Sequence, residues 1–491
     1  MLEIQNLHMN RKSWHSQFSA GGNMTATRIE KDSMGEMSVP AEALYGAQTA
    51  RALHNFPISG YRFPRPFLRA IGMVKERAAR VNMELGLLDN ERAMAIMEAA
   101  EEVIRGELDS HFVLDIFQTG SGTSTNMNVN EVIANRAAQL SGGEMGTRSI
   151  HPNDHVNLGQ SSNDVIPTAI HIAAAVEIRH SLIPALFSLQ EALGEKAEAF
   201  NDIIKIGRTH LQDATPIRLG QVFSGYARQV ALANRRLETA LDGLLELALG
   251  GTAVGTGINT HPEFAGRVIG GLAEVTGLAF REAANHFEAQ GAKDAVVFTS
   301  GALKACAVAL FKICNDVRFL GSGPRCGLGE LILPPVQPGS SIMPGKVNPV
   351  MAESLIQVCA QVVGNDGAIT LGGLSGNFEL NVMMPLLAHN LLESIALLTR
   401  GVAQFTELCI RGLEADREHC EASVEKSLAM VTSLAPVIGY DQAASIAKKA
   451  RESGKTVREV AREEKVMENA ELDRLLDPYP MTNPGIPGKK E

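Results

Sequence analysis

The sequence predicts an all-α protein built round long, buried helices. Alanine and leucine dominate its apolar share, aromatic residues make up 5% of the chain and tryptophan occurs once, a balance that favours helix over strand. Long segments repeat apolar residues every three or four positions, as with Leu182, Leu186, Leu189 and Leu193. Several, such as "GALKACAVALFKICNDV" (301–317), are apolar on more than one face, and a helix apolar all round has to be buried on all sides. Such helices predict a bundle core completed by other subunits.

Taken in chain order, residues 1–23 have mixed charge and no apolar stretch of the kind a secretory signal needs. They are expected to form a disordered extension, with Met24 as a natural start. Residues 163–201 read as helix, Pro167 suiting its start and Pro184 predicting a kink or break. The proline-free run 221–249 reads as one helix of about 43 Å at 1.5 Å per residue. Further helices are expected near 300–320, 350–371 and 386–412. After Arg411 the composition turns charged, and "KKARESGKTVREVAREEK" (448–465) reads as a small exposed helical unit ahead of a Pro-rich tail.

Composition excludes several classes of function. A formal charge of −10 over 491 residues opposes nucleic-acid binding, whose footprint is a basic face. No charge-free apolar run reaches the roughly 18 residues of a membrane span. None of the six cysteines sits in a C-x-x-C pair, so they read as small core residues of a reduced, cytoplasmic protein rather than as zinc ligands or disulfides. No H-E-x-x-H, paired-carboxylate metal spacing, phosphate loop or nucleophile elbow occurs. No metal and no cofactor is expected.

The chemistry concentrates in the breaks between helices. These read "QTGSGTSTNMNVNE" (118–131), "HPNDHVNLGQSSND" (151–164), "GRTHLQDATP" (207–216), "GGTAVGTGINTHPE" (250–263) and "PPVQPGSSIMPGKVNP" (334–349). They are dense in Ser, Thr, Asn and His and poor in the Lys and Glu of a solvated linker. Any single Ser or Asn there could simply cap a helix or close a turn. Together, fixed neutral donors with one or two cations suit an anionic ligand whose charge shifts during reaction. The last loop holds five prolines and two glycines, which forbid a regular helix.

"GSSIMPGKVN" (339–348) matches the signature G-S-x-x-M-x-x-K-x-N of the fumarase/aspartase superfamily at every fixed position. "TRIEKDSMGEMSVPAEALYGAQT", "GSGTSTNMNVNEVIANRA", "QSSNDVIPTA", "LALGGTAVGTGINTHPEFA" and "LLAHNLLESI" extend the likeness, and the chain resembles class II fumarase (fumarate hydratase) from about Thr27 to Pro487. The resemblance implies three helical domains, here 24–161, 162–411 and 412–491, the middle one a long five-helix bundle that packs into a tetrameric helical core. It implies a small dicarboxylate substrate, fumarate or malate, and active sites shared between the subunits of a homotetramer.

The resemblance also assigns roles. Ser340 matches the catalytic base, His210 a second catalytic residue acting through water, and Glu353 the charge partner of that histidine. Ser121, Gly122, Thr123, Asn126, Ser161, Ser162, Asn163, Thr209, Ser341, Lys346 and Asn348 match substrate-binding positions. Arg148, His151, Asn153 and Asp154 match a second anion site, although "HPND" is also a good turn sequence. The reaction implied is addition of water to fumarate. Two alternatives stay open at this point: aspartate ammonia-lyase, which shares the signature, and a catalytically silent helical scaffold.

Overall fold

The computed structural model describes residues 26–486; the extension expected at 1–23 lies outside the described residues. Two compact units meet in the sequence between Ser162 and Asn163. The first opens with a hairpin, β1 (Thr27–Asp32) against β2 (Gly35–Pro40), with Asp32 opposite Gly35. Four helices follow: α1 (Ala47–Asn55), α2 (Arg65–Glu84), α3 (Asn90–Arg105) and α4 (Thr123–Leu140). Asp89 caps α3 through the amide of Arg92 at 3.0 Å, and Gly106 ends it in the left-handed conformation.

Helix α1 lacks a side-chain cap from its own first residues. Glu131 of α4 takes that part instead, accepting from the amides of Gly46 and Gln48 at 2.9 Å and of Thr49 at 3.1 Å. Burial pushes the Glu131 carboxyl up, and the donors at the helix terminus oppose that push.

The second unit is organised by a ring of five long helices. Helix α5 (Ser162–Glu177) leads into α6 (Ile183–Ala199), and α7 (Leu219–Leu244), α8 (Phe264–Thr276), α9 (His286–Gly291), α10 (Asp294–Leu320), α11 (Val350–Gly373) and α12 (Met384–Phe405) follow. Helix α6 packs on α7, α7 on α10, α10 on α11 and α11 on α12, which returns to α6. The all-α class and the five-helix bundle are therefore present. Phe223, Leu237, Leu303, Leu310, Leu355, Leu391 and Leu398 fill the ring. Among the described residues the strands form only two-stranded sheets.

The break expected at Pro184 is a π turn, Ile178–Leu182, immediately before α6. Proline has no N–H to continue the ladder, and the wider turn absorbs the loss. Helix α7 stops at Leu244, short of the expected 249, because Glu246–Leu247 leaves the helix to pair in parallel with Arg281–Glu282. Helix α12 likewise gives way to a π turn at Thr406–Ile410. By length and composition alone, Ser162–Ala199 and α10 are apolar enough to cross a membrane, yet 44% and 56% of their most apolar windows are buried inside the protein.

Beyond Arg411 lie α13 (Arg417–Val424), α14 (Tyr440–Ser453), α15 (Val457–Glu463) and α16 (Asn469–Leu475). Leu434, Ile446, Val460 and Leu472 form a small core there with Ile206. The charged stretch 448–465 is two helices parted by left-handed Gly454. Five cysteines are buried as expected, but Cys326 is exposed, in the irregular segment that follows α10.

Partly buried His171 on α5 joins the second unit's helices through Nδ1, 2.7 Å from the carbonyl of Glu246. Burial lowers its pKa from 6.5 to about 4. Between those values the unfolded chain binds a proton that the folded one refuses, so stability falls as pH drops from 6.5 towards 4. The full shift corresponds to about 3–4 kcal/mol at ~1.4 kcal/mol per unit. Thermal unfolding of His171→Asn should show a shallower acid decline than the parent; parallel curves would place the acid sensitivity elsewhere.

Candidate active site

The signature loop joins the short strand Leu331–Ile332 to α11 and is braced from within. The Gly339 amide donates to the Lys346 carbonyl at 2.8 Å, and Asn348 Nδ2 donates to the Gly339 carbonyl. A Cβ at position 339 would lie 2.6 Å from that Lys346 oxygen and 2.8 Å from the Asn348 amide, so only glycine closes the loop. Ser340 Oγ accepts from the amides of Met343 at 2.9 Å and Ile342 at 3.3 Å. Two N–H dipoles aimed at one oxygen favour its anion over its neutral form. Ser340 and Lys346 line a hollow of about 510 Å³ with Val336 and Met343. Ser341 and Lys346 are exposed; Ser340, Asn348 and Glu353 are half-buried.

His210 lies where a polar loop was expected, but the segment is a β-hairpin: β3 (Ile204–Thr209) against β4 (Gln212–Arg218), with Thr209 opposite Gln212. His210 and Leu211 form the two-residue turn with φ of 55° and 61°. Such turns ordinarily hold Asn or Gly, because both central residues are left-handed. Each non-glycine residue there costs on the order of 1–2 kcal/mol. Thr209 and His210 are exposed, and Leu211 is 71% exposed.

A buried ion cluster holds the hairpin's base. Fully buried Glu330 lies 3.2 Å from Lys205 Nζ and 2.9 Å from Arg208. Neither carboxylate oxygen has hydrogen-bond geometry to these cations, so the contact is one of charge. Burial lowers the Lys205 pKa, and Glu330 pulls it back up.

In the first unit, α4 starts at Thr123, so most of the stretch expected to be a polar break is helix. Ser121, Gly122 and Thr123 stand at its N-terminus, where free amides and the helix dipole favour an anion. Ser121 and Thr123 hydroxyls are 2.7 Å apart, and Asn126 Nδ2 donates to Ser162 Oγ at 3.0 Å. Ser161 is half-buried beside Ser162. In the second unit Asn163 Nδ2 donates to the Ala253 carbonyl at 2.8 Å. No hydrogen bond or ion pair links His210 with Glu353 among the described residues.

The "HPND" segment forms a π turn, Pro152–Val156. His151 Nδ1 accepts from the amides of Asn153 at 3.2 Å and Asp154 at 3.1 Å. Asp154 Oδ2 lies 3.3 Å from the same nitrogen, but a nitrogen accepting two N–H bonds has no proton for the carboxylate, so this is proximity rather than an ion pair. These two bonds close the "HPND" turn on His151. Arg148, exposed with φ of 58°, borders a small hollow beside Glu30 and Glu131.

Three positioning residues escaped sequence reasoning. Asp164, fully buried, accepts from the amides of Gly250 at 3.1 Å and Thr252 at 2.9 Å and so ties down the Gly-rich 250–263 segment. Asn157 and Lys75 lie beneath Asn126 and Ser162. Only a charged residue amid the apolar face of α2 hinted at Lys75. No group of three or more His, Cys, Asp or Glu that could hold a metal occurs among the described residues.

Residues 35–364 match the Lyase family and residues 430–483 the fumarase C C-terminus. Over 460 residues the chain is 55% identical to "Fumarate hydratase class II" of Mesorhizobium japonicum, covering 94% of this chain and 99% of that one. The chain belongs to the class II fumarate hydratase family. The Halobacterium salinarum member is 57% identical over 94% of this chain and 98% of its own. Among solved structures, class II fumarase from Schistosoma mansoni superposes with a TM-score of 0.91 at 42% identity, covering 93% of this chain and 99% of that one. A fumarate lyase:delta crystallin from Brucella melitensis bound to cobalt gives 0.89 at 45%, covering 94% and 100%.

The strained turn of this class II fumarate hydratase family member depends on its anchor. Glu330→Gln leaves Lys205 and Arg208 buried without a counter-charge, and losing one partner of such a cluster costs about 3–5 kcal/mol. Urea unfolding should show that loss. A change below about 1 kcal/mol would mean the cluster does not hold the hairpin.

Proposed function

We propose that this chain catalyses the reversible hydration of fumarate to (S)-malate, by anti addition of water through an aci-carboxylate intermediate, as a cytoplasmic enzyme of the tricarboxylic acid cycle. The observation that carries this reading is the braced signature loop, Ser340 with two amides aimed at its oxygen, in a chain of the class II fumarate hydratase family.

The carbon next to a carboxylate is a very weak acid, so its conjugate base needs strong charge stabilisation. Ser340 takes the proton, and the two amides lower the cost of its alkoxide. Lys346 supplies a compact positive charge on the same loop. Ser121, Gly122 and Thr123 hold a substrate carboxylate at the N-terminus of α4, and Ser161, Ser162, Asn163, Thr209 and Ser341 add neutral donors. Both N–H groups of Asn126 are engaged by Asn157 and Ser162, so Asn126 serves the substrate through Ser162. Asn348, whose amide braces the loop, serves the site through that brace as well as by contact. His210, oriented by Glu353, acts through a water on the departing hydroxyl. Arg148, His151, Asn153 and Asp154 form a second anion site.

The exposed surfaces support a homotetramer with shared sites. Phe298 and Val308 on α10, Leu371 on α11 and Leu374 just after it are 57%, 59%, 65% and 77% exposed, a cost in water that a second copy removes. Ile342 in the signature loop is 83% exposed, and His210 stands on a strained turn. Loops from different subunits then complete one another, and the His210–Glu353 pair forms between copies. The three domains 24–161, 162–411 and 412–491 are the units of this assembly.

Fumarate should lose its absorbance in water alone, whereas dependence on ammonium would assign the chain to aspartate ammonia-lyase. Ser340→Ala should keep its assembly but lose exchange of the malate carbon-bound proton with deuterium. Exchange above about a tenth of the parent rate, a barrier change under ~1.4 kcal/mol, would mean another base. His210→Asn should lower turnover about 10²–10⁴-fold. Unfolding and refolding Ser340→Ala and His210→Asn together should give activity well above that of either alone; no recovery would place both residues of a site in one subunit.

A further inference from the structure

The class II reading leaves Lys75 unused, although among the described residues of the first unit it is the most deeply buried cation, with no exposed surface. Its Nζ donates to Asn157 Oδ1 at 3.0 Å and Gln160 Oε1 at 2.9 Å. An ammonium can only donate. Asn157 must therefore turn its oxygen, not its NH₂, towards Lys75, and its own Nδ2 goes to the Gln160 carbonyl at 3.0 Å.

That choice propagates. The same Asn157 oxygen receives Asn126 Nδ2 at 3.2 Å and Asn130 Nδ2 at 3.1 Å. Asn126 must then present its NH₂ on this side, and its second N–H reaches Ser162 Oγ at 3.0 Å. A hydroxyl whose oxygen is already accepting has its own proton free to donate. The amide oxygens of Asn126 and Asn130 are left buried without partners, as expected when donors rather than acceptors dictate the orientation.

We propose that Lys75 is a positioning residue which, through Asn157 and Asn126, fixes Ser162 as a hydrogen-bond donor towards the substrate carboxylate. The inference rests on the reading of Ser162 as a dicarboxylate ligand. Without the lysine, the Asn157 and Asn126 amides can flip together, and Ser162 can turn its proton inward to an amide oxygen. The carboxylate then loses one charge-assisted bond.

The test is a double-mutant cycle on the full-length enzyme. Lys75→Met keeps the stem and removes the donor, and Ser162→Ala removes the hydroxyl. Each single variant should raise KM for fumarate about ten-fold, with a smaller change in kcat. The double variant should be no worse than Ser162→Ala alone, because Lys75 acts only through that hydroxyl. A full KM penalty for Lys75→Met in the Ser162→Ala background, or an unchanged KM in folded Lys75→Met, overturns the proposal. Should Lys75→Met not fold, Asn157→Leu in the same cycle decides, with the same two outcomes. Failure of the parent enzyme to hydrate fumarate would instead remove the functional reading itself.

Discussion

A charge removed from water has to be met by fixed dipoles or an opposite charge, and that constraint decides where the polar loops of this protein lie. Lys75, Glu131, Asp164 and Glu330 are each buried, and each gathers a different segment. Glu131 collects the amides at the start of α1, and Asp164 those of Gly250 and Thr252. Glu330 grips the hairpin that carries His210 through Lys205 and Arg208. Lys75 organises the amides beneath Ser162. Any of these charges left unpartnered would cost several kcal/mol, so the loops have little freedom to drift.

The helices supply the frame against which these ties pull. The five-membered ring in the second unit closes because each long helix presents an apolar face to two neighbours. Interruptions of the ladder, the π turns at 178–182 and 406–410, are absorbed without ending the packing. Strain is present where chemistry is proposed: His210 and Leu211 both hold left-handed backbone although neither is glycine. The signature loop meets a different constraint, a close backbone approach, by using glycine where a side chain would strike the backbone.

Much of this was legible beforehand. Apolar spacing located the long helices, Pro184 marked a break that the structure realises, and the Ser340–Lys346–Asn348 spacing carried the family, which the relatives at 55–57% identity bear out. These signals are local: a period, a missing N–H, a fixed run of ten residues. They depend on neighbours within one or two turns of chain.

What only the tertiary structure decided depends on partners distant in sequence. The turn at His210–Leu211 has no hairpin signature, since its strain is held by Glu330, more than a hundred residues away. Helix α7 ends early because Glu246 and Leu247 find Arg281 and Glu282, a pairing that no propensity in 221–249 announces. Lys75 reads as one charged residue in a helix until Asn157 and Gln160 are placed against it, 82 and 85 positions on. The sequence alone determined the helices, the signature loop and the family. Folding decided which buried charge restrains each loop, because a long-range ion pair leaves no periodic trace in the chain.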